Sequence, residues 1–237
     1  MNHKISKIVE KIHRFFWETF QLDGLDGSGK MAPIFIDWNQ DNASWSCRSK
    51  VGAKEVSCSF QFHNKHIEPD VVAHEWTHAI IGHLAPLRRG GQPGALNESL
   101  ADIFGLVFKS WVTGKPEWQI VDRDVRQRPA HFRKSSKAHG PENDFGYVHE
   151  NSLIPSHAFY RVVQSMRRPN KMEIIAKIWF KALTQMRPHE TFVNFARKTI
   201  RVAQNFYPDN RAQNDRLVQM ITDSWNYVFR ECMSNAG

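Results

Sequence analysis

Between Pro69 and Pro86 the chain reads Val71-Val72-Ala73-His74-Glu75-Trp76-Thr77-His78-Ala79-Ile80-Ile81, an apolar run that carries two histidines four residues apart and a glutamate directly after the first. Pro69 suits the first turn of a helix, where its missing N–H has no intrahelical partner to lose, and Pro86 followed by Gly90 and Gly91 ends the pattern. Residues four apart on a helix differ by about 40° around the axis and one turn along it, so His74 and His78 can present both imidazoles to one point. A core helix with satisfied histidines and a metal site both fit this pair. The metal reading needs a third protein ligand, because zinc takes about four ligands and a catalytic site keeps one position for water.

Three kinds of third ligand are available: His83 shortly after, an acid on the following helix, or a distant histidine. His83 lies five residues past His78, about 140° around the helix, and cannot share its face while the helix continues. The better candidate is Glu98 in Gly94-Ala95-Leu96-Asn97-Glu98-Ser99-Leu100-Ala101-Asp102, part of a second buried helix expected over 94–112. Glu98 and Asp102 are again four apart, so one carboxylate can bind metal while the other orients a ligand histidine. Two acids on one face of an apolar helix are costly to bury unless paired or bound to a cation.

The remaining sequence frames these helices. At 237 residues the chain suffices for one sizeable domain or two lobes sharing a core. The net charge of +8 comes from Lys and Arg scattered from Lys4 to Arg230, which reads as solvated surface rather than a nucleic-acid footprint. No apolar run is long enough to span a bilayer, and Met1 to Phe20 lacks the features of a signal peptide. Ile5, Ile8, Val9, Ile12, Phe15, Phe16 and Phe20 fall instead at helical spacing, which predicts an amphipathic helix buried against the fold. A turn-rich loop at 23–29, a strand over Ile34 to Trp38 and a β-rich stretch to Phe62 follow. Cys47 and Cys58 either face each other across a hairpin turning near Gly52 or remain free, with Cys232 left over. Residues 116–145 are polar and rich in Arg, Pro and Gly, which suggests irregular surface. Four helices are expected near 148–166, 171–186, 189–206 and 210–231.

With these motifs in place, the sequence resembles the thermolysin-like (M4) zinc metallopeptidases. His74-Glu75-Trp76-Thr77-His78 and Glu98 have the family's spacing, and Gly94 to Glu98 with Asp102-Ile103-Phe104-Gly105 is similar to its second signature. Asn42-Ala43-Ser44-Trp45 is similar to its substrate-binding edge, Asp144 to Ser152 to the segment with its catalytic histidine, and Lys177 to Gln185 to its late helix. The resemblance covers the chain from about Asp23 onward. It implies an α+β zincin fold: a reduced β-containing N-lobe over residues 1–85 that ends in the zinc-binding helix, and an all-helical C-lobe over 86–237. It further implies zinc on His74, His78 and Glu98, with Glu75 as general base toward the attacking water and proton donor to the leaving amine. His149 would donate to the oxyanion with Asp144 holding its ring, while Asp102 and Asn97 would brace His74 and His78. Asn42 and the backbone of Ala43 would align the substrate as an added strand. Val71, Ile120 and Val125 match positions around the apolar pocket for the residue after the cut.

The departures bear on specificity. Asp70 matches a calcium-ligand position, but the bridging acid on the second helix is replaced by Lys109 and another ligand position holds Gln119, so the paired calcium site is expected to be lost, with Glu117 and Asp122 left over. A family tyrosine that assists the oxyanion aligns with Arg89, whose role is either that of a substitute cation or a loss. The arginine that contacts the substrate carbonyl is sought in 124–129, with Arg126 preferred to Arg128. The expected function is a zinc endopeptidase cutting before large hydrophobic residues. The alternatives are an exopeptidase, for which Glu150 is a candidate amine-binding acid, and a catalytically weak binding protein of the same fold. The resemblance implies a monomer acting on peptide or protein substrates, restrained by a proteinaceous inhibitor, with neither nucleic-acid nor membrane partner. It implies secretion or delivery by a dedicated secretion route, with a cytoplasmic location as the alternative.

Overall fold

In a computed structural model describing residues 3–36, 39–49, 56–135 and 140–232, helix α2 (Pro69–Leu84) runs through the middle of the molecule. Ten of its residues are buried, among them Val72, Trp76, Ile80 and Ile81, so it is apolar nearly all round. Asp70 sits in the first turn, where a negative charge complements the helix dipole. Helix α3 (Gly91–Thr113) packs against it and ends at Gly114, whose left-handed φ of 70° is the conformation glycine adopts without penalty. The two helices touch at Gly105: a Cβ there would meet the Asp70 carbonyl oxygen at 2.7 Å. That contact sets the separation at which side chains one and two turns earlier on α3 meet the histidines of α2.

On the other side of α2 lies a three-stranded sheet of order β1-β3-β2, comprising β1 (Ile34–Ile36), β2 (Ala43–Ser49) and β3 (Val56–Phe62). β1 is parallel to β3 and β2 antiparallel to it, with Ala43 opposite Phe62, Trp45 opposite Phe60 and Cys47 opposite Cys58. The last two pair as a disulfide, which settles the alternative left open by the sequence, and Cys232 is a buried free thiol. The turn near Gly52 and the expected strand residues Asp37 and Trp38 lie outside the described residues. Phe60 stacks on Trp76 with ring centroids 5.4 Å apart, so aromatic contacts join sheet to helix.

Helix α1 (His3–Phe20) buries Ile5, Ile8, Ile12, Phe15 and Phe16 as its periodicity predicts. Phe20 stacks on Phe180 at 4.5 Å and ties α1 to the helical lobe. That lobe contains α4 (Asp144–Ser165), α5 (Lys171–Leu183), α6 (Phe192–Ala203) and α7 (Arg211–Cys232). Its centre holds Trp179 and Trp225, and Trp225 Nε1 donates to Thr199 Oγ1 at 3.0 Å, so the buried indole N–H is satisfied. Each fully buried aromatic contributes roughly 1.5–3 kcal/mol. The architecture is the α+β arrangement of small sheet, central helix and helical lobe that was expected. The segment read as irregular surface holds a short hairpin, β4 (Gln119–Ile120) and β5 (Arg123–Asp124), which turns at Val121 with φ 51°.

Candidate metal centre and catalytic cleft

His74 and His78 project from α2 toward Glu98 of α3. Their Nε2 atoms are 3.0 Å apart, and each lies 3.6 Å from a Glu98 carboxylate oxygen. The far side of each ring meets an acceptor: His74 Nδ1 is 2.9 Å from Asp102 Oδ1, and His78 Nδ1 is 3.0 Å from Asn97 Oδ1. The Asn97 contact puts the His78 proton at Nδ1, and the Asp102 carboxylate, close to His74 Nδ1 though not well aligned with it, favours the same tautomer there, which leaves both Nε2 lone pairs aimed at one point. Two lone pairs and a carboxylate converging there repel one another unless a cation lies among them. Glu98 Oε2 is buried without a well-directed hydrogen bond among the described residues. Two imidazoles and one carboxylate are the donor set of a catalytic zinc, so the residues fit that metal.

Burial alone would push the Glu98 carboxyl up, but in the metal-free protein protonated imidazoles of His78, His149 and His74 around it outweigh burial and hold the group well below the usual carboxylate range, standing where a bound cation would otherwise supply the charge. Asp102, with no exposed surface, is likewise held low against burial by Arg123 and His74. Arg123 grips it bidentately, with Nε 2.7 Å from Oδ2 and Nη2 2.7 Å from Oδ1. The guanidinium in turn is raised above its ordinary value by that partner despite its own burial.

Glu75, 7% exposed, accepts a hydrogen bond from the Trp45 backbone N–H at 2.6 Å. The edge strand β2 thereby holds the carboxylate of α2. The neighbouring Ala43 N–H donates to Asn42 Oδ1 at 2.8 Å, so two N–H groups on this edge are already paired within the chain. An incoming strand must displace the Asn42 side chain to use the Ala43 N–H.

The opposite wall is built differently. Asp144, Phe145, Gly146 and Tyr147 all have positive φ, between 50° and 94°, before regular helix begins. Left-handed backbone costs a non-glycine residue about 1–2 kcal/mol, and local bonds hold this turn. Asn143 Oδ1 accepts from the Gly146 N–H at 3.1 Å, Asn151 Nδ2 donates to the Gly146 carbonyl at 3.2 Å, and Arg133 stacks 3.8 Å over the Tyr147 ring. The turn folds Asp144 back so that its carboxylate accepts from the His149 backbone N–H at 2.9 Å and contacts Nδ1 at 2.7 Å. His149 Nε2 then stands 3.2 Å from Glu98 Oε2. Contact with Glu98, reinforced by Asp144, raises the half-exposed imidazole to about 9.

A cleft of about 590 Å³ runs over these groups, lined among others by Asn42, Ala43, Val71, Arg89, Ile120 and Arg123. Asp102 lies behind His74 with no exposed surface. Arg126 is a correction: it does not line the cleft but points along the exposed β5 end, paired with Asp124 at 2.6 Å. Arg123 lines the cleft beside Arg89, and the sequence reading did not name it. A signal was present in Asp102, whose buried charge required a cation that a histidine bound to metal could not supply. Val125 is fully buried outside the cleft lining, and Arg128 pairs with Glu231. Glu150, the acid considered for amine capture, pairs with Arg133 at 2.6 Å and is not part of the cleft lining. Lys109 Nζ lies 3.0 Å from Asp70 Oδ2, so the ammonium itself pairs this buried carboxylate.

Comparison with known proteins gives concordant results. Residues 5–82 match the family model described as thermolysin metallopeptidase, catalytic domain, and residues 85–229 match thermolysin metallopeptidase, alpha-helical domain. A zinc metalloproteinase of Listeria monocytogenes is 27% identical over 243 residues, covering 93% of this chain and 44% of its own length. An extracellular metalloprotease of Pectobacterium carotovorum is 29% identical over 251 residues, covering 90% of this chain and 68% of its own. The chain thus spans less than half of the first relative and about two thirds of the second. The precursor of protealysin, a metalloproteinase from Serratia proteamaculans, superposes with a TM-score of 0.77 at 23% identity, over 96% of this chain and 79% of that one.

Proposed function

The chain belongs to the thermolysin (M4) family of metallopeptidases, and on that premise we propose that it is a zinc-dependent endopeptidase that cuts before large apolar residues. The observation that carries this reading is Glu75: a buried carboxylate that the metal-ligand geometry does not use, held 2.6 Å from the Trp45 N–H beside the converging Nε2 atoms. A zinc scaffold alone has no need of it.

Zinc held by His74, His78 and Glu98 would supply a water of pKa about 7 and polarise the scissile carbonyl. Glu75 takes the proton of the attacking water and delivers it to the leaving amine. His149, oriented by Asp144, donates to the developing oxyanion, and Arg89 on the cleft rim adds positive charge toward the same region. Arg123, taking the part assigned to Arg126 from the sequence, reaches the substrate carbonyl while holding Asp102. Asn42 and Ala43 align the substrate along β2, and Val71 with Ile120 forms the apolar seat for the residue after the cut. The Asp70–Lys109 pair supports loss of the bridged calcium site. The extracellular Pectobacterium relative and the Cys47–Cys58 disulfide favour secretion into an oxidising compartment.

The test is digestion of casein by the zinc-loaded chain and by Glu75→Gln, with product termini read by mass spectrometry and zinc measured in both. The expected outcome is internal cuts before Leu, Ile or Phe, slowed by about 10³-fold or more in the variant while zinc stays bound. Zinc bound with no cutting by either chain would instead favour a binding role.

A further inference from the structure

Four arginines near the catalytic cleft and its back wall are held by carboxylates: Arg123 by Asp102, Arg126 by Asp124, Arg128 by Glu231 and Arg133 by Glu150. A second cavity, of about 430 Å³, has three that are not. It lies between the C-terminal end of α4 and helix α7 and shares no lining residue with the cleft. Arg167 and Arg168 stand on one side and Arg216 on the other, all exposed, and none is within ion-pair distance of a carboxylate among the described residues. The cavity lining contains no acidic side chain among the described residues. Its floor is apolar, with Met166 and Leu217 buried and Met220 half-buried.

We propose that this pocket binds an acidic polypeptide segment carrying an apolar side chain between carboxylates. Surface arginines alone would suggest only a solvated patch. Here the guanidiniums come from two elements and surround a concavity of the size that small ligands fill, roughly 300–1,000 Å³. Each guanidinium offers a planar fork matched to a carboxylate. A lone phosphate could use the forks but would leave the floor empty. A Leu or Phe side chain fills it, and the unbranched methionines adapt to its shape. The net charge of +8 steers acidic partners toward the molecule in general, whereas the floor and rim together select one that is both acidic and apolar.

Binding is the readout, so the test is independent of peptidase activity. A fluorescently labelled short peptide alternating glutamate with leucine and phenylalanine is titrated by anisotropy into the Glu75→Gln chain, which cannot consume it. Replacing Arg167, Arg168 and Arg216 together by Gln is expected to weaken binding about 10-fold or more, and replacing exposed Arg187, Arg197 and Arg201 by Gln less than about 2-fold. Thermal melts of both variants establish that each is folded. A peptide with serine in place of leucine and phenylalanine is expected to bind about 10-fold more weakly than its parent. Equal losses in the two arginine variants, or equal binding of the serine peptide, would reduce the effect to net charge and overturn the proposal. No loss in the first variant would put the peptide elsewhere, and no binding to the parent chain would remove the site. Displacement of the peptide by an equal concentration of inorganic phosphate would assign the pocket to a phosphate ligand instead.

Discussion

The two walls of the cleft are held in opposite ways. The metal side is made of regular helix: His74 and His78 share a face of α2, Glu98 and Asp102 share a face of α3, and Gly105 brings the two helices together. Its polar groups are largely buried, with Asp102 placed between His74 and Arg123. The His149 side starts from four successive left-handed residues, and its imidazole is 49% exposed. Helix packing fixes position through many small contacts, whereas the left-handed turn depends on a few named hydrogen bonds. Damage to the first wall should therefore appear in stability and metal affinity, and damage to the second in turnover alone.

The largest expected effect is that of Arg123→Ala. It leaves a fully buried carboxylate with one partner fewer, at a cost of about 3–5 kcal/mol in unfolding free energy, and loosens zinc by roughly 10–100-fold through His74. Urea denaturation and zinc competition with a chelating dye measure the two. A variant as stable as the parent would show that Asp102 is satisfied without its arginine.

His149→Ala in the zinc-loaded protein, where Glu98 is committed to the metal, is expected to lower kcat by about 10²- to 10³-fold, the cost of one oxyanion donor, with zinc content and melting temperature unchanged. A loss of zinc in this variant would erase the distinction between the walls. In the metal-free protein, the His149 resonance followed by NMR should titrate near 9 and move toward its ordinary value in Glu98→Gln, since contact with Glu98 is the main cause of the shift. Because the pKa of the metal-free protein is raised on folding, the stabilisation that the charged imidazole gives this form is complete below its unfolded value of about 6.5 and disappears as pH rises through about 9. The smallest effect is expected for Glu150→Gln, which removes an exposed ion pair with Arg133 and should cost about 0–1 kcal/mol without altering kcat.

Much of the metal side could be read in advance, because spacing along a helix is itself geometry: four residues make one turn wherever the helix lies. The same periodicity located α1 and the helices of the C-terminal lobe. The hairpin at Ile120 and Arg123 was not legible, since strands of two residues carry no measurable period and Val121 turns with a φ its own side chain disfavours. Choosing among three arginines within a few residues was correspondingly beyond spacing.

The sequence by itself determined that two histidines share a helical face, that Glu98 and Asp102 share another, and that two buried carboxylates need a paired partner or a cation. The tertiary structure decided which arginine neutralises Asp102, that Cys47 and Cys58 join, and that the Trp45 N–H holds Glu75. Helical faces follow from local bond geometry. Those three pairings join residues 21, 11 and 30 positions apart along the chain, and only packing of the sheet, the hairpin and α2 brings the partners within hydrogen-bonding or bonding distance.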